Sequence, residues 1–308
     1  MSARIKGVLS PVVTPFNADL SPDAERLIQH CRWLLSHGVG LAVFGTTGEA
    51  NSLSVGERID LLSGIVEAGI DPARMMPGTG TCALPDAVRL TAHAVKLGCA
   101  GALMLPPFYY KAISDEGLYG SFAEIIERVG DARLRVYLYH IPEVAGVGIS
   151  LGLIERLLRA YPGAIAGLKD SSGDWAHTKR VIDAFGATGF DVFTGSEVFL
   201  LANLRSGGAG CITATANVNP GAIQGLFHAW RSAEADRMQE RLNELRLAFQ
   251  KAPMIAGLKQ AIAHYRGDPG WARVRPPLSP LRADEAARLL EDLEQQGFAM
   301  GSPEALSA

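Results

Sequence analysis

Lys169 offers the most distinctive chemistry in this chain. It ends a short run of small and apolar residues, Ala164 to Leu168, and Asp170, Ser171, Ser172 and Gly173 follow at once. A short apolar run bounded by turn residues reads as a strand buried on both faces. The lysine then falls where that strand gives way to a loop. An unperturbed lysine leaves roughly one amine in 2,500 neutral at pH 7, and burial in general disfavours the ammonium form. Only the neutral amine attacks a ketone to give a Schiff base. The competing reading is an ammonium that snorkels to solvent or pairs with a carboxylate.

Other candidates close similar runs. Gly45, Thr46, Thr47 and Gly48 form a turn whose glycines let amides and hydroxyls converge on a carboxylate. An ordinary strand-to-helix turn explains the same four residues. Tyr139 is either a core aromatic or a proton relay, and His140 stands beside it. Tyr109 and Tyr110 either pack within their loop or reach across a subunit contact. Gly195, Ile212 and Thr213 end two later runs. Among seven lysines, Lys169 alone falls at such an end. The set holds hydroxyls, one amine and one histidine. It lacks a carboxylate cluster suited to a metal and any Ser-His-Asp arrangement. Imine chemistry on a carbonyl, with no metal or cofactor and with hydroxyls moving protons, is what these groups suit.

Eight strand-like runs must position these residues: 7–15, 41–44, 75–76, 101–105, 135–139, 164–169, 190–194 and 208–213. Helical patterns separate them, as at 22–37, where Leu27, Ile28, Cys31, Leu34 and Leu35 share a face. Regular βα alternation implies a parallel sheet. Eight units without reversal predict an α/β fold, a closed (β/α)8 TIM barrel, over 1–218. Helical patterns at 220–232, 234–250, 253–265 and 283–297 predict a C-terminal helical extension over 219–308 packed on the barrel. The proline-rich stretch 266–281 reads as a surface loop. An open nucleotide-binding sheet is disfavoured, because no G-x-G-x-x-G or Walker pattern follows any strand. In a barrel the chemistry lies at the C-terminal strand ends, where the candidate residues fall.

Composition narrows the class. A hydrophobic share of 48% against 20% charged residues fits a globular chain with a sizeable core. A net charge of −3 without basic blocks argues against nucleic acid. No apolar run reaches membrane-spanning length, and the first residues lack the apolar centre of a signal peptide. A cytoplasmic protein is expected. Cys31, Cys82, Cys99 and Cys211 are far apart, so burial is expected for them, not a zinc site or disulfides.

Taken together, the motifs resemble the family of dihydrodipicolinate synthase and N-acetylneuraminate lyase, pyruvate-handling Schiff-base aldolases. The matching pieces run from 45 to 49, 107 to 110, 139 to 142, 167 to 170, 194 to 196 and 207 to 212, in family order. The resemblance implies that Lys169 forms the Schiff base and Tyr139 relays protons. It implies that Thr46 links Tyr139 to a second tyrosine, Tyr110, which many relatives receive from a neighbouring subunit. Thr47 and adjacent amides, Gly48 included, would hold the carboxylate of pyruvate or another 2-keto acid. Gly195, Ile212 and His140 would complete the substrate contacts. A homotetramer, a dimer of dimers, is likewise implied.

Departures from the family bear on the substrate. Dihydrodipicolinate synthases carry an arginine five residues after the relay tyrosine, for the second substrate's carboxylate; here that residue is Val144. N-acetylneuraminate lyases carry polar groups where this chain has Val198 and Ala214. His140 replaces a common asparagine, and Glu143 adds a polar neighbour; both also suit a supporting structural role. The expected activity is therefore a class I lyase on a 2-keto acid with pyruvate as product or donor, a 2-keto-3-deoxy sugar acid aldolase being the leading form. A 4-hydroxy-tetrahydrodipicolinate synthase joining pyruvate to aspartate semialdehyde is one alternative. A keto-acid dehydratase acting through the same imine is another. A non-catalytic keto-acid-binding regulator is the alternative from a different class.

Overall fold

A computed structural model describes residues 4–301. Among the described residues, seven short strands lie in one sheet: β1 (Gly7–Ser10), β2 (Gly40–Leu41), β3 (Ala102–Met104), β4 (Val136–His140), β5 (Ile165–Asp170), β6 (Asp191–Thr194) and β7 (Gly210–Ile212). All pairings are parallel, in the order β2-β1-β7-β6-β5-β4-β3. Helices alternate with the strands, as expected from the sequence, and their starts are chemically marked. Side chains of Asp23, Ser54, Ser114, Ser150 and Asp174 each accept a first-turn backbone N–H. Each such cap contributes about 1 kcal/mol.

The run expected as a strand near Met75 and Met76 is not a full strand. It makes single parallel bridges, Met75 to Leu41 and Gly78 to Leu103. The Met76 and Gly78 N–H groups donate to Leu41 and Val43, while Pro77 accepts from Leu103. Pro77 has no N–H to extend the ladder, and a Cβ at Gly78 would come within 2.1 Å of the Phe44 carbonyl oxygen. The segment therefore touches both edge strands of the curled sheet without a continuous ladder.

Alternating strand residues sort the core. Leu9, Leu103, Tyr137, Ala166, Phe193 and Ile212 fill the inside of the curl. Val136, Leu138, Ile165, Leu168 and Val192 face outward onto helices. The helix Met254–Arg266 buries Leu258 and Ile262 in the same cluster as Phe16, Trp33 and Phe44. The stretch 266–281 departs from its surface-loop reading: Trp271 and Val274 are buried. Cys31 and Cys211 are buried as expected, whereas Cys82 is exposed. No helix among the described residues is long and apolar enough to cross a membrane.

Candidate active site

Parallel register sets the first pair. Tyr139 on β4 lies opposite Lys169 on β5, and Lys169 lies opposite Phe193 on β6. Side chains in register across parallel strands share a face. Both Tyr139 and Lys169 point inward, are only 3% exposed, and line one cavity of about 970 Å³. Lys169 Nζ sits 4.1 Å from the centre of the Tyr139 ring. Thr46 Oγ1 approaches the Tyr139 hydroxyl at 3.3 Å, long for a hydroxyl–hydroxyl bond. Burial works against the Tyr139 phenolate. The charge of Lys169 and hydrogen bonds from Thr46, Lys169 and Ser171 outweigh it, pulling the phenol below its ordinary value. Such a phenol gives up and retakes a proton more readily than a free tyrosine.

The turn at 45–48 is held in a costly shape. Phe44 and Glu49, on either side, adopt φ of 59° and 55°. A non-glycine residue there costs on the order of 1–3 kcal/mol and persists only where its surroundings over-determine it. Those surroundings are visible. Thr14 donates its hydroxyl to the Gly48 carbonyl at 2.7 Å. Glu49 is buried, and its carboxylate is gripped by Lys259 from one side and the Arg275 N–H from the other. A Cβ at Gly48 would lie 2.6 Å from the Val12 carbonyl oxygen, so only glycine permits this approach. Thr46 and Thr47 reach the cavity wall as a result, while Gly48 acts through this packing.

Gly195 and Ile212, from the ends of β6 and β7, also line the cavity. A Cβ on Gly195 would fall 2.0 Å from the Ser171 hydroxyl, so only glycine there lets Ser171, two residues after Lys169, pack this close. Six candidates thus meet at one cavity: Lys169, Tyr139, Thr46, Thr47, Gly195 and Ile212.

Two candidates lie elsewhere. His140 follows the inward Tyr139, so the pleat turns it to the outer face. It is buried there, its Nδ1 accepts the Ile149 N–H at 2.9 Å, and its ring stacks on His177. The expected substrate contact of His140 is corrected to a supporting one. Tyr110 is 73% exposed, edge-to-face with Tyr109, and outside the cavity wall of the single chain.

His140, Asp170 and His177 bring three ligand-type atoms within 4.8 Å, a gathering the sequence reading missed. The two imidazole planes are 12° from parallel with centres 4.4 Å apart. Imidazole lone pairs lie in the ring plane, so stacked rings do not converge on one ion. Asp170 instead accepts from His177, Thr178 and the Ser172 N–H. These bonds fix the residue next to Lys169. Sequence reasoning also missed Asn243, Arg246 and Gln250, which line the cavity from the helix Ala235–Gln250. Their helical spacing was the available signal, but it is submerged in a helix rich in Glu and Arg.

A parallel α/β sheet whose C-terminal strand ends open into one deep cavity is an enzyme architecture. The sequence profile described as the dihydrodipicolinate synthetase family matches residues 4–296, and the chain belongs to that family of carbon–carbon lyases. An uncharacterised DapA-like lyase of Chloroflexus aurantiacus is 36% identical over 290 residues, covering 93% of this chain and 95% of the relative. A 4-hydroxy-tetrahydrodipicolinate synthase of Rhizobium meliloti is 34% identical, covering 95% and 99%. Dihydrodipicolinate synthase from Agrobacterium tumefaciens superposes with a TM-score of 0.88 at 31% identity, covering 95% and 99%. The Escherichia coli K12 protein YagE, solved with pyruvate, gives a TM-score of 0.87 at 29% identity, covering 96% and 99%.

Proposed function

We propose that this chain is a class I lyase that makes or breaks a carbon–carbon bond in a 2-keto acid, with pyruvate as product or donor. The neutral amine of Lys169 condenses with the keto group and water leaves, giving an imine. In the cleavage direction Tyr139 accepts the proton of the 4-hydroxyl, the C3–C4 bond breaks, and its electron pair moves into the protonated imine. An aldehyde departs. The remaining enamine takes a proton at C3, and water releases pyruvate and Lys169. Thr47 and the amides of the strained turn hold the substrate carboxylate, and Thr46 steadies the Tyr139 hydroxyl. The imine supplies the electrophile, so the reaction needs no dissociable cofactor. The observation that carries this reading is the buried amine 4.1 Å from the Tyr139 ring at the cavity wall.

The same reading takes residues 75–79 as the eighth stave of a (β/α)8 barrel, supported by bridges to both Leu41 and Leu103. It divides the chain into a barrel at 1–218 and a helical extension at 219–308. It assembles the enzyme as a homotetramer in which Tyr110 reaches a neighbour's Tyr139.

Borohydride reduction in the presence of pyruvate, followed by peptide mass analysis, tests the imine. Label on the peptide holding Lys169 is expected; a Lys169→Ala variant that still traps pyruvate overturns the assignment. A 2-keto-3-deoxy sugar acid fits better than aspartate semialdehyde, because Val144 lines the cavity and offers no donor to a carboxylate. The synthase relative favours the semialdehyde as a second reading. Strong condensation of pyruvate with it in vitro would decide for that activity. Turnover of a 2-keto-3-deoxy acid without free pyruvate would mark a dehydratase instead.

A further inference from the structure

The backbone beyond β1 runs buried toward the mouth of the cavity. Val12 and Val13 are almost wholly enclosed, so the peptide groups there need partners inside the protein. The side chain of Asn217, itself fully buried, supplies them. Its Oδ1 accepts the Val13 N–H at 3.0 Å, and its Nδ2 donates to the Pro11 carbonyl at 3.1 Å. One amide thereby grips residue 12 from both sides, as a facing residue does in a parallel ladder. Nδ2 also donates to the Ala214 carbonyl at 2.9 Å. Pro11 and Ala214 both line the cavity.

The amide has one way to lie. Arg266 can only donate, and its Nη2 meets His30 Nδ1 at 2.8 Å. The His30 proton is therefore on Nε2, which stands 3.2 Å from Asn217 Oδ1. Burial and the Arg266 charge hold the His30 pKa well below its ordinary 6.5, so the ring is neutral. A flipped amide would set its NH2 against two donors and its oxygen against two carbonyls.

The segment so fixed reaches the threonine turn. The Val12 carbonyl oxygen is the atom a Cβ at Gly48 would meet at 2.6 Å, and Thr14 donates its hydroxyl to the Gly48 carbonyl at 2.7 Å. We infer that Asn217 is a positioning residue for substrate binding: it fixes residues 11–14, these seat Gly48, and the seated turn holds the carboxylate of the 2-keto acid. Asn217 acts from behind the cavity wall, through Pro11 and Thr14. In the sheet order β7 and β6 stand between β1 and the strands that carry Lys169 and Tyr139, so the amine and the proton relay do not lean on it.

The inference rests on the lyase reading, and the experiment keeps the two apart. In D2O, C3 of the pyruvate imine gives up a proton to form the enamine and takes back a deuteron. Proton NMR of this exchange gives kcat and KM with pyruvate alone. Asn217→Ala is expected to raise KM about 10-fold or more, the usual worth of a hydrogen bond to a charged group. Its kcat should stay within about threefold of wild type, since the Thr46 link to Tyr139 is already long at 3.3 Å. Thr14→Val removes the last contact of the route and leaves Asn217 in place. It should shift KM the same way, and it carries the test if Asn217→Ala does not fold. An unchanged KM, a loss confined to kcat, or equal losses in both overturns the positioning. Wild type that exchanges no proton and traps no pyruvate brings down the imine reading instead. Calorimetry then takes over: Asn217→Ala should weaken pyruvate about 10-fold while uncharged pyruvamide binds within about threefold of wild type. Parallel weakening of both ligands, or no pyruvate binding at all, overturns the positioning there too.

Discussion

On the proposed lyase reading, Tyr139 has to combine burial with proton transfer. Its ring is buried, which alone would lock the phenol neutral, yet Lys169 and the hydroxyls around it pull the other way and win. Tyr139→Phe keeps the ring packing and removes only the transferable proton. We expect kcat to fall about 10²- to 10⁴-fold, the usual worth of a positioned acid–base group, while KM and urea stability stay near wild type. A loss confined to KM would make Tyr139 a binding group. Thr46→Val, which deletes one neutral hydrogen bond, should cost at most about tenfold in kcat. The inward placement of Lys169 and Tyr139 was legible in sequence because each closes an apolar run, one residue before the end of β5 and β4. His140 was not, since a side-chain pleat must be phased before neighbours can be assigned to opposite faces. Arg246 was hidden for another reason: its helix carries charge on several sides, and a charged helix normally reads as solvated.

At the scale of elements, the C-terminal helices and the threonine turn are mechanically joined. Lys259, fully buried on the helix Met254–Arg266, pairs with Glu49 directly after the turn, and the Arg275 N–H holds the other carboxylate oxygen. Burial lowers the Lys259 pKa, and Glu49 pulls it back. Breaking such a pair strands a buried charge at a cost of about 3–5 kcal/mol. Lys259→Met should lose that much in urea unfolding, and Glu49→Gln/Lys259→Met should regain part of it; equal instability in both would place the cost in packing. The outer face of β4 and β5 gives a pH signature. Burial holds His140 below its ordinary 6.5 against the pull of Asp170, with the charge of His177 adding to the depression. The unfolded chain therefore takes up this proton first, so stability is full above about pH 6.5 and declines as the pH falls below it. Asp170 acts in the same sense at lower pH: burial raises it, but bonds from His177, Ser172 and Thr178 leave it depressed. Its contribution is present above the ordinary aspartate range and is lost as pH falls through the lower folded value. His140→Asn should lose less in Tm than wild type between about pH 7 and about pH 5.5; parallel losses would remove His140 as the source. The alternation of these elements was readable from periodicity. The weakness of the 75–79 segment was also written there, in Pro77 and Gly78, but apolar Met75 and Met76 outweighed them.

On the scale of the molecule, the cavity belongs to no single layer, since β4, β5, β7, Gly195 just after β6, the turn at 45–48, the helix Ala235–Gln250 and residues 277–279 all line it. Sequence patterning gave the layers but not this convergence, because strand periodicity says nothing about where a distant helix comes to rest. One surface feature remains outside the single chain's logic. Tyr109 and Tyr110 are 74% and 73% exposed, with ring centres 5.3 Å apart and planes 87° from parallel. Two large rings stacked edge-to-face in solvent leave on the order of 1.5–3 kcal/mol of burial unrealised apiece, and exposed aromatic clusters of this kind mark contact surfaces. If a second copy covers them, Tyr110 enters its neighbour's site and activity becomes a property of the assembly. Specific activity should then fall on dilution together with the mass measured by sedimentation velocity. Tyr110→Phe, which keeps the apolar contact and removes the hydroxyl, should remain assembled yet lose about 10-fold or more in kcat. Tyr110→Ala should lose both activity and assembly. Full activity in a chain sedimenting as a monomer would leave Tyr110 no part in the chemistry, and Tyr139 would then exchange its proton without a partner subunit.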